Sequence, residues 1–165
     1  KGGLWGVSNF IYYIFIFSAL LAIAVYDFRW KIIPDKIIYP AIAVALIYNV
    51  FNPPLDKGGL GGFSIQMFSA GAAFLFFYLF FYFSKGGAMG LGDAKLAFLI
   101  GLFLNPLLTV AAFTLAFVIG AVFGILLMGL GKKTLKSRIA FGPFLVLGAA
   151  IAFFLSDFII NFINF

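Results

Sequence analysis

The sequence contains no cysteine and no histidine. The first absence excludes disulfides and thiolate metal sites. The second removes a required member from Ser/His triads, Cys/His dyads and most zinc sites. Charge is scarce too. Only 10% of the 165 residues are charged, and the five acids are all aspartates: Asp27, Asp35, Asp56, Asp93 and Asp157. Any chemistry must come from Asp, Lys, Arg, Tyr, Ser or the backbone, and no metal or cofactor is expected. Apolar residues fill the chain instead, with 65% hydrophobic, 21% aromatic and a mean hydropathy of +1.19. A water-soluble domain of this length needs far more polar surface. The composition therefore predicts an integral membrane protein, all-α, with one membrane-embedded domain over residues 1–165. The net charge of +6 then reports loop topology rather than nucleic-acid binding. The bilayer is an expected partner and nucleic acid is not. The first residue is Lys1 rather than methionine, so a segment upstream of it is expected.

Apolar runs separated by short polar or Gly/Pro breaks predict a polytopic bundle of about six transmembrane helices, at 9–26, 37–51, 63–83, 94–104, 107–130 and 139–162. A spanning helix needs about 20 apolar residues, and the third, fifth and sixth runs supply them. The second is short and carries Pro40, so a kink or an extension into its loops is expected. The fourth is short unless it begins inside the glycine segment near Ala88. That start would put "GLGD" at membrane depth, where non-helical backbone survives only inside protein or beside a wet cavity. With six spans, the loops after the first, third and fifth share a face. Arg29, Lys31, Lys36, Lys85, Lys95, Lys132, Lys133, Lys136 and Arg138 fall there, leaving only Lys1 and Lys57 opposite. By the positive-inside rule that face is cytoplasmic and both termini point outward. "NPPLDKGGLGG" at 52–62 reads as an external turn-rich loop.

The acids divide by position. Asp56 lies in the external loop, and Asp157 sits near the external end of the sixth span as an interfacial residue. Asp27, Asp35 and Asp93 map to the cytoplasmic side. Taken alone, Asp27 reads as an interfacial stop residue paired with Arg29 or Lys31, and Asp93 as a helix N-cap behind a glycine turn. Taken together, they are two acids from different helices on one face, with room for close backbone approach at Gly90 and Gly92. An ionisable residue within a membrane span is a functional candidate by default. Two carboxyls held close cannot both ionise and so share a proton. The ionised one can take a proton from water while the other polarises a peptide carbonyl. This chemistry needs no histidine, cysteine or metal.

At these residues the chain resembles the type IV prepilin peptidases, which are GxGD-type intramembrane aspartyl proteases. "GLGDAKL" at 90–96 resembles that family's second aspartate motif. "YDFRWKIIPD" at 26–35 resembles its first, and "FGPFLVLGA" at 141–149 resembles the segment that opens its last span. The resemblance implies cleavage of the basic leader from type IV prepilins or pseudopilins at the cytoplasmic face of the inner membrane. Asp27 and Asp93 would be the catalytic pair. Gly90, Gly92, Lys95, Pro34, Asp35, Gly142 and Pro143 would support them. Many members add a four-cysteine zinc loop and N-methylate the new pilin terminus. This sequence lacks those cysteines, so methyl transfer is not expected, and the chain resembles the short, peptidase-only members or the peptidase part of something cut upstream. Two other readings fit parts of the pattern. Presenilin and signal-peptide-peptidase relatives also pair "YD" with "GLGD", but they are expected to carry Pro-Ala-Leu on a later helix. Here the only Pro-Ala is Pro40-Ala41, which precedes "GLGD". A small proton or cation transporter could also use two acids, although such sites lie at mid-membrane. The oligomeric state has no signal in the sequence.

Overall fold

The structure, a computed structural model, describes residues 3–52, 60–85, 89–130 and 140–163. Lys1, Asp56, Lys57, Lys132, Lys133, Lys136, Arg138 and the start of the sixth expected span lie outside these residues. So does the glycine segment at 86–88. Among the described residues every regular element is an α-helix. In order they are α1 (Gly3–Trp30), α2 (Asp35–Phe51), α3 (Leu60–Phe83), α4 (Leu91–Phe103), α5 (Pro106–Gly129), α6 (Gly142–Phe154) and α7 (Ser156–Ile163).

Local chemistry sets several boundaries. Asn105 caps α5, its side chain accepting the Leu108 N–H at 2.8 Å, and Pro106 follows at the position where its missing N–H has no partner to lose. Two long helices end on lysines in the left-handed region, Lys31 after α1 (φ 54°) and Lys85 after α3 (φ 50°). Each sits where a helix commonly turns off through such a residue. Helix α2 runs unbroken through Pro40, beginning two residues before the expected start.

Helix length sorts the bundle into an outside and an inside. Among the described residues three segments are long and apolar enough to cross a membrane: Gly6–Trp30, Gly62–Phe83 and Pro106–Gly129. At 1.5 Å per residue the 24 residues of α3 or α5 reach about 36 Å, past a hydrocarbon core of roughly 30 Å. The 13 residues of α4 or α6 reach only about 20 Å. These short helices are the interior. From Leu99 to Phe103 every α4 residue is buried, and α6 buries Leu145, Gly148, Ala149 and Ala152. An apolar helix buried by its neighbours does not need to span the bilayer alone.

Small residues bring these backbones together, the usual device where lipid removes the hydrophobic drive between helices. A Cβ on Gly101 of α4 would stand 2.6 Å from the Ala70 Cα of α3, and one on Gly148 of α6 would strike the Ala112 carbonyl of α5. Ala41 and Ala45 of α2, one turn apart, are fully buried. Polar links are few. Asn49 of α2 donates to the Leu102 carbonyl near the end of α4 at 2.9 Å, and Ser69 donates to Thr109 at 3.2 Å. Such bonds average about 0.6 kcal/mol in membranes, so close packing carries more of the bundle than hydrogen bonding does.

Two expectations are corrected. The sixth span is not one helix, because α6 stops at Phe154 and α7 starts at Ser156. Leu155 still donates to the Ile151 carbonyl and still accepts from the Ile159 N–H, both at 2.9 Å, so the chain bends there without parting. Ser156 and Asp157 favour helix starts over helix interiors, and α7 is amphipathic where the other helices are apolar all round. The fourth helix begins at Leu91, earlier than expected, yet does not reach back to Ala88, since Gly90 has extended backbone and acts as the N-cap.

Gly101→Ala is expected to destabilise the bundle by about 1–3 kcal/mol, because backbone rather than a flexible side chain blocks the added methyl. Gly71, in the next helix over, has open space at its Cβ position. Gly71→Ala should be neutral or stabilising by up to about 1 kcal/mol through helix propensity. Denaturant unfolding in detergent micelles measures both.

Candidate active site

The ends of α1 and α3 and the starts of α2, α4 and α6 meet at one end of the bundle. Antiparallel packing of α3 on α4 and of α5 on α6 brings them there. Arg29, Lys31, Lys36, Lys85 and Lys95, the described members of the basic face, cluster at that end. Asp27 and Asp93 are there as well, both buried, with 5% and 8% of their surfaces exposed.

Asp27 lies in the last turn of α1. Its Oδ2 accepts the Gly142 N–H at 2.8 Å, across a separation of 115 residues. Gly142 begins α6 and Pro143 follows it. The first N–H groups of a helix lack internal partners and carry the positive end of its dipole. The carboxylate takes one such N–H, and proline contributes none to compete. A Cβ at Gly142 would fall 2.6 Å from the same Oδ2, so any larger residue displaces the Asp27 carboxyl.

Asp93 is the third residue of α4. It is not the N-cap, which is Gly90. Its Oδ2 accepts the Gly90 N–H at 3.0 Å while its own N–H donates to the Gly90 carbonyl at 3.1 Å. This is the reciprocal arrangement of an acid reaching back to the helix start. The two acids therefore share one design. Each is pinned through a single oxygen by a backbone N–H at a helix start, and each leaves its Oδ1 without a hydrogen bond among the described residues. They also lie within electrostatic reach of each other.

Neither acid has a basic partner among the described residues. The pairing of Asp27 with Arg29 or Lys31 does not form, and the Arg29 guanidinium lies 5.4 Å from the Trp30 ring centre instead. Lys95 is not free to hold an outside anion. Its ammonium pairs with Asp35 at 2.5 Å and lies over the Tyr39 ring at 4.8 Å. Pro34 caps α2, accepting the Ile37 and Ile38 N–H groups. The two glycines of "GLGD" act differently. A Cβ on Gly92 would stand 2.9 Å from the Ile33 Cβ, so the start of α4 sits directly on the α1–α2 turn. A Cβ on Gly90 would meet nothing nearer than 3.6 Å. Gly90 contributes its N–H rather than its missing side chain. Asp157 is exposed on α7, away from this end. Sequence reasoning gave no role to Ile33, although it lies within the 26–35 motif, nor to Tyr39, which lies outside every motif.

Fold and geometry thus define a helical membrane bundle that brings two aspartates together at helix starts. A sequence model of the type IV leader peptidase family matches residues 14–125, a stretch that includes both acids, and the chain belongs to that family. It is similar to the prepilin leader peptidase/N-methyltransferase of Bacillus subtilis, 30% identical over 162 residues that cover 96% of this chain and 61% of that protein. The protein of the same description from Legionella pneumophila is 28% identical over 144 residues, 86% of this chain and 49% of its own length. That of Pseudomonas putida is 27% identical over 144 residues, 84% and 48%. The chain therefore spans about half to three-fifths of these relatives. No solved structure matches it. Between the two protease families that the motifs suggested, the match selects the prepilin side.

Gly142→Ala should break the bond to Asp27 and lower stability by about 1–3 kcal/mol, the range for stranding a buried acceptor. Gly90→Ala should be near neutral. In an Asp27→Ala background the penalty at position 142 should shrink, and a double-mutant cycle of thermal unfolding reads that coupling.

Proposed function

We propose that this chain is a membrane-embedded aspartyl endopeptidase domain. It removes the basic leader from type IV prepilins or pseudopilins at the cytoplasmic face of the inner membrane. The observation that carries the proposal is the pair itself. Asp27 and Asp93, from different helices, are buried within electrostatic reach of each other, and each has one carboxyl oxygen anchored and the other without a hydrogen bond among the described residues.

Two such carboxyls hold one proton between them. The ionised member takes a proton from water, and the resulting hydroxide attacks the scissile carbonyl carbon. The protonated member hydrogen-bonds to the carbonyl oxygen and then protonates the departing amine. The products are a carboxylic acid and an amine, and the pair is left with one proton again. By binding Oδ2 of each acid, the Gly142 and Gly90 N–H groups set where the two Oδ1 atoms point. Pro34 and Pro143 start the helices that frame them. The clustered basic residues support the cytoplasmic placement by the positive-inside rule. The relatives' second printed activity, N-methyl transfer, is assigned to no residue of this chain.

The test is leader cleavage of a prepilin-like substrate by the purified protein, followed by gel shift. Asp27→Asn and Asp93→Asn should each lower kcat by about 10²–10⁴-fold or more while the proteins still insert and fold. Asp157→Asn should be nearly silent. Full activity in either of the first two variants sinks the assignment. Proton flux that depends on both acids, with no leader cut, would favour a transporter instead. The rate should also be bell-shaped in pH. It falls on the acid side as the base is protonated and on the alkaline side as the acid is lost, with both limbs belonging to the pair rather than to one residue.

A further inference from the structure

Lys95 lies two residues after Asp93, and residues at that spacing point to nearly opposite sides of a helix. Asp93 faces the buried pair. Lys95 reaches the other way, onto α2, where Asp35 takes its ammonium and Tyr39, one turn further along, lies beneath it. Asp35 opens α2, and α2 follows Asp27 by the short turn on which Gly92 rests. The ion pair therefore ties the first turn of α4 to the corner that ends in Asp27. We propose that the Asp35–Lys95 pair is a positioning latch. It sets the rotation of the first turn of α4 about its axis and so presents Asp93 to Asp27. Gly92 against Ile33 fixes how close the two segments come, and the latch fixes which way Asp93 points. Neither Asp35 nor Lys95 touches the reacting atoms.

This inference rests on the peptidase reading for its kinetic test, and a second measurement is independent of it. The chain carries no cysteine of its own, so Lys95→Cys places a unique thiol at the latch. The variant should lower kcat about tenfold with KM little changed, since small misplacements of a catalytic group are enough for that. Treatment with 2-aminoethyl methanethiosulfonate rebuilds a terminal ammonium and should restore most of the rate, reversibly on reduction. The neutral methyl methanethiosulfonate should not. Adding Asp35→Asn should abolish the rescue. Equal rescue by the neutral reagent, or rescue that persists without Asp35, overturns the latch. Hydrogen exchange of residues 90–96, read without substrate, should speed up in Asp35→Asn and in Lys95→Cys, and slow again once the ammonium is rebuilt. Unchanged exchange also overturns it. If the wild-type protein cuts no prepilin leader, the peptidase reading fails, and the exchange experiment alone decides the latch.

Discussion

A carboxylate kept from water is costly unless hydrogen-bond donors or a counter-charge meet it. In this bundle helix starts supply the donors. Gly142 gives an N–H to Asp27 and Gly90 gives one to Asp93. Much else follows from that constraint. A helix start must be available inside the bundle beside each acid, so α4 and α6 have to be short. Being short, they cannot cross the bilayer alone: α2 and α3 pack against α4, and α1 and α5 against α6. Had lysines or arginines met the acids instead, the site would hold paired ions rather than two carboxyls held by backbone amides.

Close backbone packing makes this arrangement possible. Gly101 against Ala70 and Gly148 against Ala112 draw α4 onto α3 and α6 onto α5. Those contacts bring three helix starts to one end. There, glycine serves two distinct purposes. At Gly142 and Gly92 a side chain would collide, with Asp27 in the first case and Ile33 in the second. At Gly90 there is space, and the useful group is the amide. A motif that reads as a run of equivalent glycines is mechanically a donor, Gly90, followed by a contact, Gly92.

The opposite end of the bundle is organised differently. Tyr12 stacks on Tyr48 at 3.6 Å, Tyr48 donates to Asn9 at 2.7 Å, and Asn49 ties α2 to the last turn of α4. Aromatic stacking and neutral hydrogen bonds join the helices there, away from the buried acids. The charged groups that the interior tolerates are concentrated where helix starts can stabilise them.

How much of this was legible in the sequence depended on range. Composition alone was enough for a helical membrane bundle, because an apolar chain this poor in charge has few other stable forms. Most helix positions followed from where apolar runs break at Asn, Pro and Gly. The bend at Leu155 did not, since hydropathy continues straight through it. The acid pair was readable as two motifs on one face, a consequence of counting spans and sorting charge. Their geometry was not. The N–H that holds Asp27 belongs to a residue far along the chain, and nothing local to either marks the other. The difference between Gly90 and Gly92, and the partner of Lys95, were equally hidden. Periodicity and capping act through neighbours within a turn or two, so the sequence alone determined the elements and the residue types available to the site. Which amide meets which carboxylate depends on how close three helix starts come, and only the tertiary packing decided that.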